Sequence, residues 1–231
     1  MSVRYSIERG LAVVTMDDGK ANAMNAQLLG ELDAAFARAE AEGVAVVLTG
    51  RTGFFSGGLD LKSLPKLGPQ ELVPVLQLFA RVMLRVFRFP GPVVAASTGH
   101  AIAGGAVLLL AADERLGASG AFKIGLNESQ LGLRLPSFVV EMARASLAPR
   151  ALFRAAVAGE LFDPASAAAL GLYDAVHAPE AILESAIARA EVLGAIPREA
   201  YSATKLLVRP ALEPLAGDEL LAFERFMQTM R

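Results

Sequence analysis

An α/β fold is predicted by three features of the sequence. Apolar runs of strand length alternate with segments of helical periodicity along the first half of the chain. Two of these runs are followed by glycine-rich turns that lead toward a helix, a unit that occurs twice before residue 112. The composition, 54% hydrophobic and 20% charged over 231 residues, suffices for the core of one ordinary domain and excludes both intrinsic disorder and a disulfide-stapled miniprotein.

Taken in order, Val3, Tyr5 and Ile7 alternate with polar residues, and Leu11 to Met16 continues the pattern after Glu8-Arg9-Gly10, which predicts an antiparallel hairpin. Asn25 is a good N-cap for a helix carrying Leu28, Leu29, Leu32, Phe36 and Ala39 on one face, with Gly43 as its stop. Val44 to Thr49 then forms a buried strand, and Ser56-Gly57-Gly58-Leu59-Asp60 is too irregular for either period. Pro69 to Phe89 is helical until Phe89-Pro90-Gly91-Pro92, and Val93 to Ser97 is a strand. Gly99 to Gly105 is a second glycine-containing turn before a helix from Ala106 to Ala112, apolar all round and therefore buried. Short strands follow near Arg115 to Ala118 and Ala121 to Ile124, then helices, one opened by Asp163-Pro164 and closed by Gly171. Beyond Ala178 the pattern is helical, with breaks expected near Pro197 and Gly217.

The charge balance, 22 Lys+Arg against 24 Asp+Glu, leaves a net charge of −2 without a basic run, so neither a nucleic-acid nor an anionic-membrane surface is expected. Cysteine is absent, which removes thiol nucleophiles and cysteine-held metals. The two histidines, His100 and His177, have no metal-ligand spacing. No basic segment followed by an apolar core opens the chain, and Ala101 to Ala112 is too short to span a membrane, so the cytoplasm is the expected location.

Three segments carry chemistry. Gly57-Gly58 and Gly104-Gly105 lie in turns that can aim backbone N–H groups at one point, as an oxyanion hole does, and equally suit plain tight turns and close helix contacts. Glu128, between Leu126 and Leu131, suits an apolar pocket that raises a carboxyl pKa toward proton-transfer duty, and equally suits an exposed loop. Asn127 fits a cap on the turn before Glu128, His100 a packed structural side chain, and Ser56, Ser97 and Ser129 structural roles.

In order and spacing these segments resemble the crotonase, or enoyl-CoA hydratase/isomerase, family over nearly the whole chain. Ala21-Asn22-Ala23-Met24-Asn25 is similar to its coenzyme A motif, Phe55 to Leu61 to its first oxyanion-hole motif and Gly99 to Asp113 to its second. The resemblance implies N–H donors at Leu59 and Gly104 and a catalytic glutamate at Glu128, in a stretch most like the mitochondrial Δ3,Δ2-enoyl-CoA isomerases. Hydratases of the family carry a second glutamate where this chain has Val107, and usually proline where it has Asn127.

The resemblance therefore implies an isomerase that moves a 3-enoyl-CoA double bond to the 2-position through one glutamate, in fatty-acid oxidation. Another crotonase reaction, hydration or acyl-CoA hydrolysis, and a silent acyl-CoA-binding protein are the alternatives. The acyl-CoA is substrate, and no metal or further cofactor is implied. Contacts to the thioester are expected from Lys20, Ala21, Ala23, Gly57, Gly58, Asp60, Leu61 and Lys205, with Lys62 and Lys66 nearby. The implied architecture is a spiral of ββα units over residues 1–177, holding the active site, with a helical region over 178–231 that builds homotrimers or dimers of trimers. Leu220, Leu221, Phe223, Phe226 and Met227 suit such an interface, or packing within the subunit.

Overall fold

A computed structural model describes residues 1–60, 63 and 67–229. Strands Val3–Glu8 (β1) and Leu11–Met16 (β2) pair antiparallel, with Val3 opposite Met16 and Glu8 opposite Leu11. The two residues between them, Arg9 and Gly10, both have positive φ, the turn that matches the twist of a two-residue hairpin. Helix Ala26–Glu42 (α1) starts where Asn25 Oδ1 accepts from Leu28 N at 3.0 Å and ends at Gly43. Its apolar stripe lies on the sheet, where Phe36 meets Phe89 edge-on at 5.6 Å.

The chain then repeats a strand–strand–helix unit. The first is Val46–Thr49 (β3), Gly53–Ser56 (β4) and Pro69–Phe87 (α2). The second is Val93–Ser97 (β5), Gly99–Ile102 (β6) and Gly104–Ala111 (α3), and Glu114–Ala118 (β7) with Ile124–Gly125 (β8) opens a third. Within each unit the two strands enter different sheets. With β9 (Ala175–His177) the larger sheet has the order β1-β2-β3-β5-β7-β9, and the smaller has β4-β6-β8. All pairings beyond the first hairpin are parallel. This succession is the ββα spiral.

Helices Ser137–Ser146 (α4), Pro149–Leu152 (α5), Pro164–Ala169 (α6), Ile182–Gly194 (α7), Arg198–Val208 (α8) and Glu213–Thr229 (α9) complete the chain. Alternation along β3 and β5 puts Val46, Leu48, Val93 and Ala95 in the main core, and Val47, Val94 and Ala96 against Ile182, Ala186 and Ile187 of α7. The larger sheet is thus buried on both faces, as a parallel sheet requires.

Several expectations are corrected. Strand β6 occupies a stretch expected to be a turn and β4 one with no element expected before Ser56; they are four residues each and begin at glycine, so they show no strand period. The last strand of the smaller sheet is Ile124–Gly125 rather than Ala121 to Ile124, and β9 was not expected. Gly217 lies inside α9; the break falls instead between Val208 and Glu213, ahead of that helix. Among the described residues no helix is long and apolar enough to cross a membrane.

Candidate active site

Two loops meet where the smaller sheet ends. After β4 the chain runs beside Ala21 to Met24: Gly57 N donates to Ala21 O at 2.8 Å, Met24 N to Gly58 O at 2.8 Å and Asp60 N to Met24 O at 3.1 Å. Peptide groups alternate sides in such a ladder, so the N–H of Leu59 points away from Met24. Gly104 lies close to it. The positions that Cβ atoms would take on Gly58 and Gly104 lie 2.8 Å from Gly104 N and 3.4 Å from Leu59 N, respectively. Gly104 is the first residue of α3, and its N–H has no acceptor within the helix. The two backbone nitrogens are thus close together, and a side chain at Gly58 would crowd Gly104 N.

This approach needs α3 pressed against β4, which Gly105 permits: any Cβ there would strike the carbonyl of Ser56. It also needs Ala103 at φ 52 and ψ −123, a conformation that L-residues adopt only under constraint. Ala103 N donates to Gly125 O at 2.9 Å and Ala103 O accepts from Val107 N at 3.0 Å, which hold the peptide preceding Gly104 in place.

Asn22 fastens the first loop. It is fully buried with φ 50, and its Nδ2 donates to the carbonyls of Met16, Phe54 and Phe55 at 3.0, 3.2 and 3.1 Å. Ser56 Oγ donates to Asn22 O and accepts from Gly58 N, so the hydroxyl is structural. The sequence signal for Asn22 is slight: asparagine tolerates positive φ between small neighbours. Ala103 gives no signal at all.

Glu128 and Asn127 face the same cavity from the segment after β8, ahead of a 3-10 turn at Ser129–Leu131. Burial pushes the Glu128 carboxyl above the usual glutamate range, against a smaller opposing effect from a backbone hydrogen bond. Its Oε2 and Asn127 Oδ1 are the buried side-chain oxygens without a hydrogen-bond partner among the described residues. The expected cap by the Asn127 side chain is thus not formed; the backbone carbonyl of Asn127 accepts from Gln130 N and Leu131 N instead.

The cavity, about 380 Å³, is walled mainly by apolar side chains: Leu76, Phe79 and Ala80 of α2, Val107 of α3, Phe138 and Val139 of α4, and Ala216 and Leu220 of α9. Val107 of this wall is buried. Among the described residues one other carboxylate, Glu219, reaches the wall. Burial raises its pKa, but hydrogen bonds from the Ser137 hydroxyl, Arg134 and Ser137 N outweigh that and hold it below the usual range. It stays ionised and occupied.

Of the residues expected at the site, Gly57, Leu59, Gly104 and Glu128 line this cavity, while Ala21, Ala23, Gly58 and Asp60 belong to the paired loops beneath it. Asp60 ties the loop through Ser63 Oγ. Lys20 is exposed on the turn before Ala21, outside the cavity wall. Leu61, with Lys62 and Lys66, lies outside the described residues. Lys205 is not brought to the site. It is buried on α8, 2.8 Å from Asp113 Oδ2 and 3.2 Å from the Gly91 carbonyl, in a cluster whose cavity shares no residue with that of Glu128. Desolvation pulls its pKa down to about 8, with Asp113 opposing and Arg209 adding to the fall. His100 accepts from Lys123 N and packs between Phe54 and Phe122, a structural role.

The chain is similar to known proteins along nearly its whole length. A family model described as Enoyl-CoA hydratase/isomerase matches residues 6–230. The mitochondrial enoyl-CoA delta isomerase 1 of Homo sapiens is 31% identical over 206 residues, 87% of this chain and 68% of that protein. A Mycobacterium bovis protein named "Probable enoyl-CoA hydratase EchA17" is 34% identical over 225 residues, 95% of this chain and 84% of its own. The crystal structure of an enoyl-CoA hydratase/isomerase family protein from Pseudomonas syringae matches with a TM-score of 0.91 at 34% identity, covering 98% of each chain. With the family model spanning nearly all of the sequence and the fold shared along its length, this chain belongs to the enoyl-CoA hydratase/isomerase, or crotonase, family.

Proposed function

We propose that the protein is a Δ3,Δ2-enoyl-CoA isomerase acting in fatty-acid oxidation. One observation carries the reading: among the described residues that line the cavity, Glu128 Oε2 is the carboxylate oxygen without a partner, while Val107 stands where hydratases of the family carry a second glutamate and Glu219 is held by Arg134 and Ser137. A double-bond shift needs one base that takes a proton from C2 and returns it at C4. Hydration must in addition hold and activate a water.

The thioester oxygen sits between the N–H groups of Leu59 and Gly104. Glu128 removes a C2 proton, and the electron pair of that bond forms the C1=C2 bond of a dienolate whose charge rests on the thioester oxygen. The two N–H groups are fixed before the charge develops, in a cavity of low polarity, which is where such donors stabilise most. Protonated Glu128 then delivers its proton to C4 as the C2=C3 bond forms. Desolvation of Glu128 raises its basicity toward that of the reacting carbon, which favours the first transfer. The reaction as written balances without a redox cofactor or metal.

The same reading puts the coenzyme A moiety along the paired loops at Ala21 to Met24 and Gly57 to Asp60. It also favours a trimer, since Leu207 and Val208 on α8 leave 88% and 77% of their surface exposed in one chain. The name of the mycobacterial relative supports hydration as the second reading. Following a 3-enoyl-CoA by the ultraviolet absorbance of its conjugated product, and a 2-enoyl-CoA in ¹⁸O-water by product mass, separates them. The isomerase reading predicts conjugation of the 3-enoyl-CoA and no ¹⁸O gained by the 2-enoyl-CoA; no conjugation, with ¹⁸O in the major product of the 2-enoyl-CoA, contradicts it.

A further inference from the structure

Among the described residues Glu128 Oε2 has no hydrogen-bond partner, so the aim of the carboxyl depends on the turn that carries it. That turn is short: the Glu128 carbonyl accepts from Leu131 N and Leu133 N, each at 2.9 Å, and Gly132 at φ 73 ends it. It is fastened from a distant part of the chain. Helix α5 runs on through a wider, π-helical turn at Phe153–Val157, in which Ala158 N donates to Phe153 O, and Gly159 at φ 64 turns the chain away. The carbonyls that close such a helix have no donor within it. Ser129 and Gln130 supply donors from outside: Ser129 Oγ donates to Ala156 O at 3.0 Å and Gln130 Nε2 to Ala158 O at 3.3 Å. Gly159 lets the two segments close up, since a Cβ there would lie 3.1 Å from Gln130 Cγ and 3.3 Å from Gln130 N. The same segment grips the other flank of Glu128. Phe162 N donates to Ile124 O at 2.8 Å and Ile124 N to Phe162 O at 2.9 Å, while Arg154 stiffens the segment by meeting Glu160 at 2.6 Å and lying over the Phe162 ring at 5.0 Å.

We infer that Ser129 is a positioning residue for Glu128: its hydroxyl, by holding the turn against Ala156, fixes where the carboxylate meets the reacting carbons. This rests on the double-bond-shift reading above and gives that reaction a residue outside the cavity wall. Ile124 and Ser129 are fastened to one body, residues 153–162, and Glu128 lies between them. Of the two side-chain bonds to that body, the one from Ser129 is the shorter and adjoins Glu128 in the chain. A single hydrogen bond of this kind adds little to stability. Displacement of a base by about 1 Å, in contrast, costs about 10²-fold in rate. A hydroxyl that only supported the fold would show the first effect without the second.

Ser129 is exposed, which leaves room for threonine and valine, two side chains of one shape that differ in the hydroxyl. Turnover of 3-hexenoyl-CoA and calorimetric affinity for saturated hexanoyl-CoA are measured for wild type, Ser129→Ala, Ser129→Val and Ser129→Thr. Ser129→Ala and Ser129→Val are expected to lose about tenfold or more in kcat with hexanoyl-CoA affinity within about twofold of wild type, while Ser129→Thr keeps kcat within about threefold. The Glu128 carboxyl is also titrated by ¹³C NMR in glutamate-labelled protein, its signal assigned with Glu128→Gln. It is expected to titrate lower in Ser129→Ala and Ser129→Val, where a loosened turn admits water, and as in wild type in Ser129→Thr. A kcat no lower in Ser129→Val than in Ser129→Thr, or the same carboxyl titration in all four proteins, overturns the inference and leaves the isomerase reading intact. A wild type that binds hexanoyl-CoA without converting 3-hexenoyl-CoA overturns the isomerase reading instead, and the carboxyl titration alone then decides the role of Ser129.

Discussion

At the scale of single residues the account turns on a carboxyl that is unpartnered. Glu128 must be ionised to accept a proton, and burial raises its pKa, so kcat/KM is expected to fall as pH drops through a value above the ordinary glutamate range. A pH–rate profile checks this; a profile flat down to pH about 4 contradicts it. The same shift has a stability consequence. In the folded state Glu128 holds its proton to higher pH than in the unfolded chain, so the destabilisation from ionising it is absent below the unfolded pKa and complete above the folded one. Glu128→Gln is therefore expected to melt higher than wild type at neutral pH and equally at low pH, a gain of about 1 kcal/mol at a functional site. Asn127 and Glu128 each carried a sequence signal, through the bracketing leucines and a family motif. Their missing partners were not legible, because a hydrogen bond that is not made depends on side chains brought in from distant helices.

At the scale of elements, the pairing of two loops brings Leu59 N and Gly104 N close together, and Asn22 fastens the first loop. Asn22→Ala leaves the carbonyls of Met16, Phe54 and Phe55 without this side-chain donor and removes from φ 50 the short polar side chain that eases that conformation, so a loss of about 3 kcal/mol is expected in urea unfolding. A loss under about 1 kcal/mol contradicts the clamp. The larger elements were legible because their signals are local: the Asn25 cap and Gly43 stop bound α1, Pro69 opens α2, and the uniform apolarity of α3 announced its burial. Strands β4 and β6 were not, since each is four residues long and held by neighbours far along the chain, with β4 paired to β6 across some 45 positions. Ala103 was equally silent, because its backbone is set by Gly125 and Val107 rather than by its own chemistry.

At the scale of the molecule, the C-terminal helices divide their work. Helix α9 folds back over the reaction cavity, where Glu219 clips it to Arg134 and Ser137, and Leu220 seals the wall. Helix α8 instead sends Lys205 and Arg209 inward to Asp113, near the C-terminal end of α3. Family resemblance had assigned Lys205 to the thioester, and sequence alone does not show that Asp113 reaches it across 92 positions. Asp113→Asn leaves two buried cations unpaired and is expected to cost about 3–5 kcal/mol in thermal or urea unfolding, whereas Lys205→Met leaves the KM for acyl-CoA unchanged. A raised KM with unaltered stability in Lys205→Met contradicts this assignment. The central claim is tested most directly by following conjugation of 3-hexenoyl-CoA to 2-hexenoyl-CoA by ultraviolet absorbance, for wild type and Glu128→Gln under the same conditions. The account predicts conversion by wild type and a fall of about 10³-fold or more in the variant, with thioester binding retained. Conversion by Glu128→Gln at a rate near wild type, or none by folded wild type that binds the thioester, contradicts it.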